Sequence, residues 1–176
     1  MTNKKILIVI AFRDFRDEEY FVPKEILEKA GAQVKTASTK KGMAIGTLGG
    51  EAQVDLSLDE VAINDFDVVI LIGGPGAHKH IDDPQFHQIA QDAVRFRKLL
   101  AAICIAPAIL AKAGVLKGKK AAVWSSSLDK SAIKILEENG AIYQSGPVVA
   151  DRDIITADGP ASAAIFAKKI TEVLTG

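Results

Sequence analysis

Three features of the chain predict an α/β protein with a doubly wound, mostly parallel sheet and helices on both faces. Apolar, β-branched runs recur without polar alternation, as strands covered on both sides require. Stretches with helical patterning separate them, and several close on a glycine. Strand and helix alternate at the spacing of parallel crossovers, which points away from a sandwich or a bundle.

Ile6 to Phe12 is the first strand, an unbroken apolar run, and a helix over Glu18–Ala30 follows it to Gly31. Gln33–Ala37 is a less pure strand. Gly42 to Asp55, carrying Gly46, Gly49 and Gly50, reads as a small antiparallel hairpin excursion. Asp67–Ile72 returns to the buried pattern. The helix over Pro84–Lys98 starts behind Asp82 and Asp83, whose carboxylates can accept from its first amides. Leu99–Cys104 is a strand and Ala106–Ala113 a helix ending at Gly114. Ala121–Trp124 reads as a weaker strand, and Leu128–Asn139 as a helix stopped by Gly140. Val148–Ala150 and Ile154–Thr156 form a hairpin around Asp151-Arg152-Asp153, and Pro160–Leu174 is the last helix. No repeat, low-complexity tract or linker interrupts this order, so residues 1–176 are expected to form a single domain.

Composition excludes several functions. The 176 residues are 48% apolar and 25% charged, with 22 Lys and Arg against 22 Asp and Glu. A balanced charge lacks the basic excess that phosphate neutralisation demands, so no nucleic-acid partner is expected. The hydrophobic content is too high for disorder. The longest nearly uncharged run, Leu99 to Ala111, is 13 residues and contains Pro107. A membrane span takes about 20, so no membrane partner is expected either. Lys4-Lys5 before ILIVIAF faintly imitates a signal peptide, yet no small-residue cleavage site follows and Arg13-Asp14 arrive at once. A single cysteine, Cys104, excludes an internal disulfide and any multi-cysteine metal site. A cytoplasmic location fits these features.

Cys104 carries the chemical argument. It ends a strand and precedes a helix, at the carboxyl edge where open α/β sheets bind ligands. Ala102-Ile103-Cys104-Ile105-Ala106 has the small-x-nucleophile-x-small spacing of a nucleophile elbow, a sharp strand-to-helix turn that tolerates little bulk. Pro107 occupies the first helical turn, where its missing N–H costs nothing. The positive end of the helix dipole favours a thiolate at this place. The competing reading is a small buried hydrophobe.

Glu18 and Glu19 follow the first strand and should surface at the same edge. Pro23 leaves the Glu19 carbonyl without a helical partner, so the backbone there is irregular or only beginning to be helical. A carboxylate in this segment can face Cys104; alternatively Asp17, Glu18 and Glu19 simply favour a helix N-terminus. Gly73-Gly74-Pro75-Gly76 either brings backbone amides close to a ligand, as an oxyanion hole requires, or makes a tight turn. Of the three histidines, His78 and His80 are two apart on a loop with no third ligand nearby, and with His87 they suggest no metal site. His78 is close enough to Gly74 in sequence to line a pocket.

Taken together, DEEYFVP, LIGGPGA, AAICIAPAILA and ADGPAS resemble the ThiJ/PfpI (DJ-one-like) superfamily, whose domain shares the class I glutamine amidotransferase-like fold, over essentially the whole chain. The resemblance implies a flavodoxin-like sheet, a homodimer or higher homo-oligomer, and Cys104 as nucleophile. Its register selects Glu19 over Glu18 as a protonated carboxyl hydrogen-bonded to the sulfur. It implies an oxyanion hole at the Gly73-Gly74 segment and Ile105, from the backbone N–H groups of Gly74 and Ile105. Members act as glutathione-independent glyoxalases, deglycases, intracellular peptidases, chaperones or oxidative-stress sensors.

This chain departs from the pattern at three positions. Ile105 stands where the peptidase branch has a histidine, which weakens amide hydrolysis unless His78 substitutes. Trp124 occupies a position often held by His or an aromatic residue facing the pocket. Asp158 replaces a common arginine and so removes a positive charge suited to an anionic substrate. The expected activity is addition of Cys104 to a reactive aldehyde, such as methylglyoxal or a glycated substrate, with no metal or organic cofactor. The alternatives are a peptidase, a redox sensor or chaperone without turnover, or a binding protein on a reused scaffold. The Gly42–Asp55 excursion is the expected patch for self-association.

Overall fold

The computed structural model describes Met1 and residues 3–176. In chain order the elements are β1 (Lys5–Val9), β2 (Arg13–Phe15), α1 (Asp17–Lys29), β3 (Gln33–Ser38), β4 (Gly42–Gly46), β5 (Glu51–Val54) and β6 (Leu56–Ser57). There follow β7 (Val68–Leu71), α2 (Pro75–His78), α3 (Pro84–Arg95), β8 (Leu99–Ile103), α4 (Ala106–Lys112) and β9 (Lys120–Ala121). The chain closes with α5 (Ser131–Glu138), β10 (Ile142–Tyr143), β11 (Val148–Asp151), β12 (Ile154–Ala157) and α6 (Ala163–Thr175).

Seven strands form the main sheet in the order β11-β12-β8-β7-β1-β3-β6, with β11 antiparallel to β12 and the other pairs parallel. The unbroken apolar runs have the expected cause. Along β1, Leu7 and Val9 join a core that includes Phe86, Ile109 and Leu136 from α3, α4 and α5. Ile6 and Ile8 join a second core with Tyr20, Leu27, Phe166 and Ile170 from α1 and α6. Period-2 side chains therefore find helices on both faces, and neither face of the strand needs polar residues.

The Gly42–Asp55 excursion is the hairpin β4–β5, and β2 adds a third strand to it. Met43 and Leu48 of this hairpin are exposed. The weaker strand expected over Ala121–Trp124 is only two residues long and pairs with β10 alone. Beyond it, the Ala122 N–H is taken by the Thr156 hydroxyl at 2.8 Å and the Trp124 N–H by the Cys104 carbonyl at 2.9 Å, so no backbone ladder continues. The helix expected from Leu128 starts only at Ser131. Before that point, the Ser126 hydroxyl accepts from the amides of Leu128 and Asp129, and Asp129 accepts from Ser131. Asp83 caps α3 through the Gln85 amide at 2.9 Å, whereas Asp82 pairs with Lys112. Among the described residues no helix is long and apolar enough to cross a membrane.

Candidate active site

At the carboxyl edge of β8 the chain turns sharply, and Cys104 sits at φ +63°, a left-handed conformation rare for a non-glycine residue. Such a conformation costs on the order of 1–3 kcal/mol and survives only where surrounding structure fixes it. Here the Cys104 amide donates to the Ala157 carbonyl on β12, and its own carbonyl accepts from Trp124, both at 2.9 Å. Ala102 and Ala106 flank the turn and are fully buried. The thiol is half-buried and opens into a cavity of about 580 Å3.

Glu19 reaches the same point from α1. Its helix begins only two residues earlier, and Pro23 sits in the helix interior, so Glu19 lies in the first turn. The docking of this turn is a backbone matter: the Arg16 N–H donates to the Gly73 carbonyl at 3.0 Å. The side chain of Glu19 is fully buried, and its Oε2 accepts from the Gly73 N–H at 2.9 Å. Its Oε1 is buried without a hydrogen-bond partner among the described residues. A Cβ on Gly73 would lie 2.7 Å from the Cys104 Cβ and 2.8 Å from Glu19 Oε2. Only glycine lets these two side chains approach one another.

These contacts correct one expectation. Gly73 does not serve an oxyanion hole, because its N–H is committed to Glu19; it positions the carboxyl instead. The amides of Gly74 and Ile105 are the ones that bear on the Cys104 sulfur, where both favour negative charge. Gly74 adopts φ +109° to present its amide, and a Cβ there would strike the Arg16 backbone nitrogen at 2.5 Å.

The electrostatics couple the two acids. Burial lifts Glu19 from an ordinary 4.5 to about 7, against the lowering effects of the Cys104 thiol, the Gly73 amide and the Arg16 charge. Burial and the neighbouring Glu19 charge also push the Cys104 thiol above its ordinary range, and the Ile105 and Gly74 amides only partly oppose them. Burial and Glu19 act here against the thiolate that a helix N-terminus favours. Two acids in contact disfavour double ionisation, so they titrate as a unit with one proton to exchange between them.

His78 and Trp124 line the cavity, as do Gly74, Cys104 and Ile105. His78 is the last residue of the short helix α2 rather than part of an irregular loop. His80 and His87 are elsewhere engaged, with the Asp83 carboxylate and the Ile81 carbonyl respectively. Glu18 turns outward and pairs with Arg16. Asp158 is not part of the cavity wall; its carboxylate accepts from the Ser162 hydroxyl at 2.5 Å. Sequence reading overlooked Arg16, Lys79, Asp129 and Ser131, which also line the cavity. Arg16 directly precedes the acidic segment, which was its only signal; the others arrive through tertiary packing. Among the described residues no group of three or more His, Cys, Asp or Glu is placed to hold a metal ion.

Comparison with known proteins agrees with this architecture. The chain is similar to the crystal structure of a ThiJ/PfpI domain protein from Brachyspira murdochii, with a TM-score of 0.93 and 32% identity over 99% of this chain and 98% of that one. It is 31% identical over 175 residues to protein/nucleic acid deglycase 2 of Escherichia coli, covering 98% of each. It is 29% identical to the glutathione-independent glyoxalase DJR-1.2 of Caenorhabditis elegans, over 99% of this chain and 90% of that protein. The model of the DJ-1/PfpI family matches residues 4–173, a span that contains the elbow, the glycine segment and Glu19 alike. By fold and by sequence, the chain belongs to the DJ-1/PfpI family.

Proposed function

We propose that the protein is a cofactor-independent enzyme acting on reactive aldehydes, of the glyoxalase or deglycase type, with Cys104 as nucleophile and Glu19 as proton carrier. The observation that carries this reading is the junction itself: a strained cysteine beside a buried carboxyl poised near neutrality, with two backbone amides directed at the sulfur. Relatives named as a glyoxalase and a deglycase support the same class of chemistry.

The chemistry follows from the proton inventory. Glu19 as carboxylate accepts the thiol proton while Sγ adds to the aldehyde carbon, and the C=O π electrons move to oxygen. The Gly74 and Ile105 amides stabilise that developing oxyanion. Glu19 returns the proton to it, which gives a thiohemiacetal. With a 2-oxoaldehyde, Glu19 then removes the hydrogen on the former aldehyde carbon and protonates the adjacent carbon through an enediol, leaving a thioester. Water cleaves the thioester to a 2-hydroxy acid and restores the thiol. The sequence is redox-neutral overall and consumes one water. A carboxyl with a pKa near the working pH is suited to giving and taking protons repeatedly.

The test is consumption of methylglyoxal without glutathione, with appearance of the hydroxy acid. Cys104→Ala should abolish it, by at least about 10^3-fold. Undiminished consumption by that variant, or none by the native protein, overturns the reading. A redox sensor is the second reading, favoured by the partial exposure of the thiol. Clean dioxidation of Cys104 by mild peroxide, in protein that consumes no aldehyde, would select it. The peptidase reading gains nothing from Ile105, an apolar residue that supplies no proton to an amine leaving group.

A further inference from the structure

The cavity beside Cys104 is larger and more positively charged than a three-carbon neutral aldehyde requires. At about 580 Å3 it falls in the range of sites for ligands several times that size. Ile105, Trp124, Pro75 and Pro160 give it apolar lining. Two cations, Arg16 and Lys79, line it together with one carboxylate, Asp129, and Arg16 is also paired with Glu18. Asp129 is already engaged, since its Oδ1 accepts from the Ser131 amide at 2.9 Å and the Ser131 hydroxyl at 2.6 Å. Lys79 forms no salt bridge among the described residues.

Arg16 is held at both backbone and side chain. Its backbone is pinned to Gly73, and its guanidinium Nε and Nη2 donate to the Glu18 carboxylate at 2.9 and 3.4 Å. This fork already grips one carboxylate, that of Glu18, a half-exposed residue that is not part of the cavity lining. Among the described residues its remaining guanidinium donors have no partner, so they can take a second carboxylate, and its charge is felt as deep as Glu19.

We infer that Arg16 and Lys79 form a carboxylate subsite, and that the preferred substrates are 2-oxoaldehydes carrying a carboxylate at the end remote from the aldehyde. The aldehyde meets Cys104, a short carbon spacer lies on Trp124 and Pro160, and the carboxylate meets the two cations. The chemistry at the aldehyde end rests on the proposed activity above; the anion subsite does not.

The experiment has two arms, each run on the native protein and on Arg16→Gln/Lys79→Gln. The first compares kcat/KM for 4,5-dioxopentanoate with that for the neutral 2-oxopentanal. The native protein should prefer the anion by roughly tenfold, the effect of one charge-assisted contact, and the preference should shrink with salt. The double variant should lose it. The second arm needs no turnover: 4-oxopentanoate should slow alkylation of Cys104 by iodoacetamide in the native protein more than 2-pentanone does, and the difference should vanish in the variant. Equal treatment of anion and neutral compound in both arms overturns the subsite, even if both aldehydes are consumed. Protection by 4-oxopentanoate that depends on Arg16 and Lys79, without turnover of either aldehyde, upholds the subsite and overturns the aldehyde activity instead.

Discussion

Two carboxyl groups are buried in the first turn of α1, and they meet opposite surroundings. Asp17 faces the β4–β5 hairpin, where its Oδ2 accepts from the Leu48 amide at 2.8 Å and its Oδ1 from the Gly50 amide at 2.7 Å. Glu19 faces the junction of β7 and β8, where one oxygen accepts from Gly73 and the other, near the Cys104 thiol, is buried with no well-formed hydrogen bond among the described residues. Asp17 is 7% exposed and Glu19 is sealed completely. Burial alone therefore separates neither role. What separates them is satisfaction: a carboxylate with both oxygens hydrogen-bonded is a structural clamp, whereas one left half-satisfied beside a thiol holds its proton to about 7.

Exchanging each acid for its amide is the sharpest way to break this contrast. Glu19→Gln cannot carry a proton, and aldehyde turnover should fall by about 10^2 to 10^4 while the fold is retained. Turnover within twofold of native would end the proton-carrier role. The next effect is on stability against pH. Glu19 binds its proton more tightly in the folded chain than in the unfolded one, because its folded pKa is raised from 4.5 to about 7. The folded state holds more protons between these values, so stability should decline as pH rises from about 4.5 through about 7, by at most on the order of 3 kcal/mol. Urea titrations across that window should show the decline in the native protein and a flatter profile in Glu19→Gln.

Glycine substitutions test the two sides sterically. An Ala at Gly73 would place its Cβ 2.7 Å from Cys104 Cβ, whereas one at Gly50 would sit 2.5 Å from Asp17 Oδ1 and from Phe21. Each should cost about 1–3 kcal/mol in thermal or denaturant unfolding. Only Gly73→Ala should also change the alkylation rate of Cys104. The smallest effect is expected from Asp17→Asn, which can accept from only one of the two hairpin amides and should lose about 1–2 kcal/mol. Its turnover should match that of the native protein; a large loss there would mean that the hairpin and the junction are not separable.

The same contrast explains what was legible in the sequence. Runs such as ILIV, VVIL and LLAAI announce strands covered on both faces, and the spacing around Cys104 announces the elbow, because both are local patterns. The clamp of Asp17 is not local, since its partners lie more than thirty residues away on a hairpin. Neither is β2, three residues with Arg13 and Asp14 exposed, which becomes a strand only because β4 is there to pair with it. Gly73 and Gly74 are adjacent and look alike in sequence. The docking of α1 gives the first amide to Glu19 and turns the second towards the sulfur. Arg16 and Lys79 have no periodicity or motif that marks them. They enter the cavity wall because the ends of β2 and β7 converge there.

The most direct measurement is the titration of the Glu19 carboxyl itself, followed by its carbon chemical shift in selectively labelled protein. A midpoint near 7 is expected, moving upward in Cys104→Ala, since contact with the thiol lowers it. A midpoint at the ordinary 4.5, unchanged when the sulfur is removed, would overturn the role of Glu19 as proton carrier.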